Sequence, residues 1–147
     1  MERALQRFEG QVQLILYPLV LVPTNTASAV ATQAAWCAGE QGKFWEFHRM
    51  LYKRQELWRH LTEPLARVSE FGIDVSVDPE ALKSCVQSGR MQALIEADQT
   101  YGRQLQVHST PTVFINEHRL VGSQPDTEGE MVRLIRQELE RAQRPAQ

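Results

Sequence analysis

His108, Ser109, Thr110 and Pro111 stand together just ahead of an apolar run, Thr112-Val113-Phe114-Ile115-Asn116. Proline is accepted at the first residue of a strand, where no ladder donor is asked of it. A buried X-Pro turn is also the usual setting of a cis peptide bond. Such a turn can present its backbone to an extended peptide, with main-chain hydrogen bonds supplying the affinity. The plainer alternative is that it only aims the strand behind it. His108 has the chemistry of a proton shuttle, but no nucleophile accompanies it, and a solvated loop histidine is expected. Ser109 has no histidine–acid pair that the sequence can place beside it, so acyl transfer has no support. The two cysteines, Cys37 and Cys85, lie far apart and form no C-x-x-C pair. That count defines neither a disulfide scaffold nor a zinc site. Both are read as buried thiols acting as small hydrophobes, with a Cys37–Cys85 bridge as the alternative. The four histidines share no ligand spacing with each other or with the cysteines, so no metal and no other cofactor is expected.

The bulk properties bound what these residues can serve. A chain of 147 residues is long enough for one domain with a real core. Its 42% hydrophobic and 23% charged residues are ordinary for a globular protein. A formal net charge of −2 gives no basic surface for nucleic acid, and no nucleic-acid partner is expected. The longest apolar run, Leu14 to Val22, is interrupted by Pro18 and is too short to cross a bilayer, so no membrane partner is expected. Met1-Glu2-Arg3 carries mixed charge and does not open a signal peptide. As written, the chain has no export address and reads as cytoplasmic. The polar end, Arg141 to Gln147, is expected to fray.

The elements that must position the turn follow from periodicity and punctuation. Met1 to Glu9 reads as a helix end, with Ala4, Leu5 and Phe8 on one face and Gly10 as its stop. Val12 to Leu19 reads as a strand whose apolar density implies burial on both faces, ending at Pro18. Asn25 or Thr26 caps an Ala-rich helix to about Ala38. Lys43 to Lys53 restarts as a helix whose core face is Phe44, Phe47, Met50 and Leu51. Thr62 to Phe71 is a third helix, capped by Thr62 and stopped by Gly72. Asp78-Pro79-Glu80 opens a fourth with cap and first-turn proline in place. Gly89 only kinks the path into a fifth, Arg90 to Leu105. Strands at Thr112 to Asn116 and His118 to Gly122 precede a last helix, capped by Asp126 or Thr127 and buried along Met131, Leu134, Ile135 and Leu139. Strands bracketing a helical block argue for a sheet with a helical insertion. Trp36, Phe44, Trp45 and Phe47 can line a peptide groove, although aromatics at helical spacing more often fill a core. The carboxylates Glu40, Glu46, Glu128 and Glu130 read as solvated helix faces.

This order, with the residues that punctuate it, resembles the DsbA-like branch of the thioredoxin superfamily. The resemblance rests on Gly10 to Leu19, Cys37-Ala38-Gly39-Glu40-Gln41-Gly42-Lys43-Phe44-Trp45-Glu46-Phe47-His48, Leu82-Lys83-Ser84-Cys85, Thr110 to Asn116 and Leu120-Val121-Gly122, in the same order along nearly the whole chain. It implies an α/β class: a thioredoxin-like (DsbA-like) sheet with a helical insertion at about residues 26–106, in one domain over 1–142, with 143–147 as a polar tail. It implies that Thr110 and Pro111 belong to a cis-proline loop that normally faces a reactive C-x-x-C. With Ser109, which stands where a glycine is common, they become the substrate-binding residues, and no catalytic residue is assigned. The family's usual His-Pro is replaced by Val22-Pro23-Thr24-Asn25. Its first strand and the C-x-x-C at the start of its first helix have no counterpart in this sequence, as in a truncated gene.

Two consequences are expected. No thiol occupies a helix N-terminus, where the dipole favours the thiolate, so the domain should be redox-inactive by itself. Without the first strand, which by the resemblance lies between Val12–Leu19 and Thr112–Asn116, both strands are left with unpaired backbone. Those strands then close together, take a strand from a second copy in a homo-oligomer, or take one from another polypeptide. The alternatives to an oxidoreductase relative are a non-enzymatic module, peptide-binding or self-associating, and a truncated glutathione-dependent transferase or isomerase relative.

Overall fold

The computed structural model, which describes residues 2–20, 26–122 and 126–143, starts with a short helix, α1 (Glu2–Gln6). Gly10, at φ 75°, turns the chain out of the loop behind it, a backbone state that costs glycine no Cβ clash. Met1, the Asn25 alternative cap, the whole stretch Val22-Pro23-Thr24-Asn25 and tail residues 144–147 lie outside the described residues. The described residues divide into two compact units, one within 17–102 and one within 1–16 together with 103–147.

The first correction falls on Val12–Leu19, which is not a strand. No ladder includes it, and residues 12–20 make no hydrogen bond among the described residues. Burial on both faces is corrected too: Val12, Leu14 and Leu16 are half-buried while Gln13, Ile15 and Tyr17 are exposed. The period of two that a strand requires is present. Apolar density makes a strand only when a neighbour supplies the ladder, and among the described residues none is paired with it.

The unit over residues 17–102 is helical. α2 (Ala27–Glu40) buries Ala31, Ala34, Ala35 and Ala38, small side chains that let α3 (Phe44–Lys53) and α5 (Pro79–Ser88) pack close. Along α3, Phe47 and Leu51 are buried, with Phe44 and Met50 packed at the edge of the same core. α4 (Leu65–Glu70) begins after Pro64 rather than at Thr62, and Gly72 leads into a short 3-10 turn at Ile73–Val75. Asp78 caps α5, its Oδ1 accepting from the Glu80 and Ala81 amides at 2.9 and 3.2 Å. Gly89, in the left-handed conformation, ends α5 instead of kinking it, and α6 (Gln92–Gln104) starts afresh.

The second correction concerns the cysteines. Cys37 and Cys85 are joined in a disulfide with Cα atoms 5.9 Å apart, within the usual range for a bridge. They are 1% and 2% exposed, so they still fill the core as the thiol reading required. Pairing depends on α2 and α5 lying side by side, which residue spacing alone does not disclose. The end of α2 is fastened twice more. Glu40, expected on an ordinary solvated face, is forked by the Arg90 guanidinium. The Gln41 side chain accepts from the Asp78 amide at 2.8 Å. The Cys-Ala-Gly-Glu-Gln run is therefore a structural knot.

The other unit is mixed. β1 (Thr112–Ile115) and β2 (His118–Val121) form an antiparallel pair with Thr112 opposite Val121 and Ile115 opposite His118. α7 (Thr127–Gln143) follows, Asp126 Oδ1 accepting from the Gly129 amide at 3.2 Å. Ala4 and Phe8 join Met131, Val132 and Ile135 in a core against which Val12, Val113, Ile115 and Leu120 pack. Among the described residues, no helix is long and apolar enough to cross a membrane.

Candidate functional site at the Ser109–Pro111 turn

The turn is built by short-range bonds. Thr112 Oγ1 donates to the Ser109 carbonyl at 2.7 Å, closing the loop around Thr110 and Pro111. The Gly122 amide donates to the Pro111 carbonyl at 2.8 Å, extending the hairpin one residue past β1. The Thr110–Pro111 peptide bond is cis. Thr110 and Pro111 are exposed and Ser109 is half-buried, so the three predicted residues lie together on one accessible turn. His108 beside them is exposed.

Four further residues fix the hairpin behind this turn, Arg119 at its near end and Asn116, His118 and Glu138 at its far loop, and sequence reasoning assigned none of them a role. Arg119 donates to the carbonyls of Leu105 and Gln106, where the chain leaves α6, and its guanidinium lies 5.6 Å from the centre of the Phe114 ring. It thereby ties the approach to the turn onto the hairpin. The register that puts Arg119 opposite Phe114 follows from the two-residue loop Asn116-Glu117, so the pairing was available in principle from the hairpin spacing. Gln106 itself has φ 54°. On the far side, Asn116 Nδ2 donates to Glu138 Oε2 at 2.7 Å, and His118 Nε2 lies 3.2 Å from Glu138 Oε1. The Asn116 hydrogen bond, helped by His118 and the nearby Arg141, holds the Glu138 carboxyl below the ordinary glutamate value of 4.5. The Glu138 side chain is only 12% exposed, and it clamps the hairpin loop to α7.

Chemically the turn offers backbone and hydroxyl groups but no nucleophile. The sheet has two strands, so the edge of β1 that does not face β2 is unpaired among the described residues. Phe114 and Val121, 43% and 46% exposed, put an apolar surface on the face opposite the core. Among the described residues, no group of three His, Cys, Asp or Glu side chains is placed to hold a metal ion. The candidate groove aromatics separate by burial: Phe47 is core, whereas Trp36, Phe44 and Trp45 are half-buried and join His48 and Tyr52 in a chain of ring contacts with centroids 4.8–5.8 Å apart.

A protein-family model described as Thioredoxin matches residues 3–137 of the chain. A comparison with curated proteins gives no match.

Proposed function

This chain belongs to the thioredoxin family, and on that premise we propose that it is a DsbA-like domain that holds an extended peptide at Ser109, Thr110 and Pro111 and by itself exchanges no disulfides. In this reading residues 1–142 are one domain, and the helical block of about 26–106 is its insertion.

The observation that carries the reading is where the sulfurs are. Disulfide exchange needs an accessible thiolate and a second thiol to resolve the mixed disulfide. Both cysteines are bonded to each other and buried. Neither stands at a helix N-terminus: Cys37 is late in α2 and Cys85 is in the second half of α5. There the helix dipole opposes a thiolate rather than supporting one. Peptide binding is supported by the exposed turn and by the unpaired edge of β1, which together suit main-chain strand addition with apolar side chains against Phe114.

Both halves can be tested on the same sample. Reduction of insulin by dithiothreitol should proceed at the uncatalysed rate in its presence. Turnover above that background, lost in Cys37→Ser, would overturn the inactive reading. Titrating an uncharged, alternating apolar peptide into isotope-labelled protein should move the amide resonances of Thr110 and of Thr112 to Ile115. Resonances that stay fixed at millimolar peptide would sink the binding reading.

A further inference from the structure

The outer face of the hairpin carries a positive charge that no neighbouring carboxylate balances. Arg119 of β2 stands opposite Phe114 of β1, and its guanidinium reaches over the Phe114 ring. It donates to the carbonyls of Leu105 and Gln106. Those bonds leave part of the guanidinium's five-donor fork unused. The acceptors are neutral, so the charge itself is uncompensated. Among the described residues Arg119 forms no ion pair with a carboxylate. The local sequence supplies none either. From Arg103 to Gly122 the only acidic residue is Glu117, which lies in the far loop of the hairpin, 4.0 Å from Arg141.

We propose that the peptide held here is acidic: an extended segment that pairs along the open edge of β1 and sets an Asp or Glu side chain beside Phe114, where Arg119 receives it. This rests on the peptide-binding reading above and adds the substrate class to it. β2 already covers one edge of β1, so a single added strand completes the pairing of β1. Side chains of an added strand alternate between faces. Those on the outer face therefore fall next to Phe114 and, two residues along, next to Thr112. Neighbouring strands lie about 4.8 Å apart, which brings a carboxylate flanking Phe114 up to the ring that the guanidinium covers. Thr112 is opposite Val121, which is 46% exposed, so the position two residues along meets apolar surface and suits an apolar side chain. A cationic residue beside Phe114 would instead meet Arg119 as a like charge. Arg119 is thus the residue that decides which peptides are preferred.

The probes are acetylated and amidated peptides of one alternating apolar design that differ only in carrying Glu, Gln or Lys at a single central position. Titrated at low salt into the isotope-labelled intact chain, each should move the amide resonances of Thr112 to Ile115. The Glu peptide should bind about threefold tighter than the Gln peptide, and the Lys peptide should bind most weakly. Raising sodium chloride to about 0.5 M should bring the Glu and Gln affinities together, as screening requires. In Arg119→Gln the two affinities should be equal, whereas Arg119→Lys should keep the Glu preference. Each ratio compares two peptides on one protein, so a general weakening from the lost Leu105 and Gln106 contacts does not obscure it. If Arg119→Gln binds neither peptide, the wild-type ratio and its response to salt decide. Equal wild-type affinities for the Glu and Gln peptides overturn the acidic preference and leave peptide binding standing. A Glu preference that persists in Arg119→Gln, or that salt does not reduce, overturns the assignment to Arg119. Resonances that respond to none of the peptides remove the peptide-binding reading, and this inference with it.

Discussion

Glu138 shows how much the hairpin behind the site rests on a single side chain remote from it in sequence. Its carboxylate takes a hydrogen bond from Asn116 and faces His118, securing both ends of the hairpin loop to α7. A carboxyl held below its ordinary value favours the folded state in its ionised form. That contribution is complete above the unfolded-state value, near 4.5, and is lost as pH falls through the lower folded-state value. Glu138→Gln should therefore lower the urea midpoint at pH 7, and the gap from wild type should narrow toward pH 3. A gap that is equal at both pH values would show that the charge is not what matters. At this scale the turn was readable: Ser109, Thr110 and Pro111 announce themselves by type and by the strand behind them. Of Arg119 only its place opposite Phe114 followed from the hairpin spacing, and Glu138 was not readable, because a charged residue on a surface helix acquires a role only when docking decides what it meets.

Elements were predicted best where local chemistry suffices. Asp78-Pro79-Glu80 opens α5 as expected, because a side-chain acceptor, a residue lacking an amide proton and a first-turn carboxylate all act within four residues. Asp78→Ala should cost about 1 kcal/mol of stability, measured by urea unfolding, and an unchanged midpoint would deny the cap its role. Thr26 makes the contrast. It occupies the cap position of α2, but its hydroxyl caps nothing and is buried without a hydrogen-bond partner among the described residues. Residue type nominates a cap, and the entry direction of the chain decides whether it is used. The same limit explains Val12–Leu19. Its composition is that of a strand, whereas a strand is a relation between two segments.

On the scale of the whole molecule, the helical unit is fastened by a covalent bond and the hairpin-bearing unit is not. The disulfide closes a sequence separation of 48 residues, which in the chain-entropy account restricts the unfolded state by about 4 kcal/mol. Unfolding in reducing buffer should show a loss of that order, and Cys37→Ala/Cys85→Ala should be insensitive to the reductant. Equal stability with and without reductant would mean that the bridge does not constrain the unfolded chain. The sequence by itself determined the order of helices and hairpin, the cap of α5, the core faces of α3 and α7, and the thioredoxin resemblance that the family match supports. Each of these depends on residues within a turn or two of one another, or on the periodicity of one element. Tertiary structure alone decided that Cys37 meets Cys85, that Arg90 meets Glu40, that Glu138 seats the hairpin and that Val12–Leu16 pairs with no strand among the described residues. Each of these joins parts of the chain that only packing brings together, and no spacing rule carries that information.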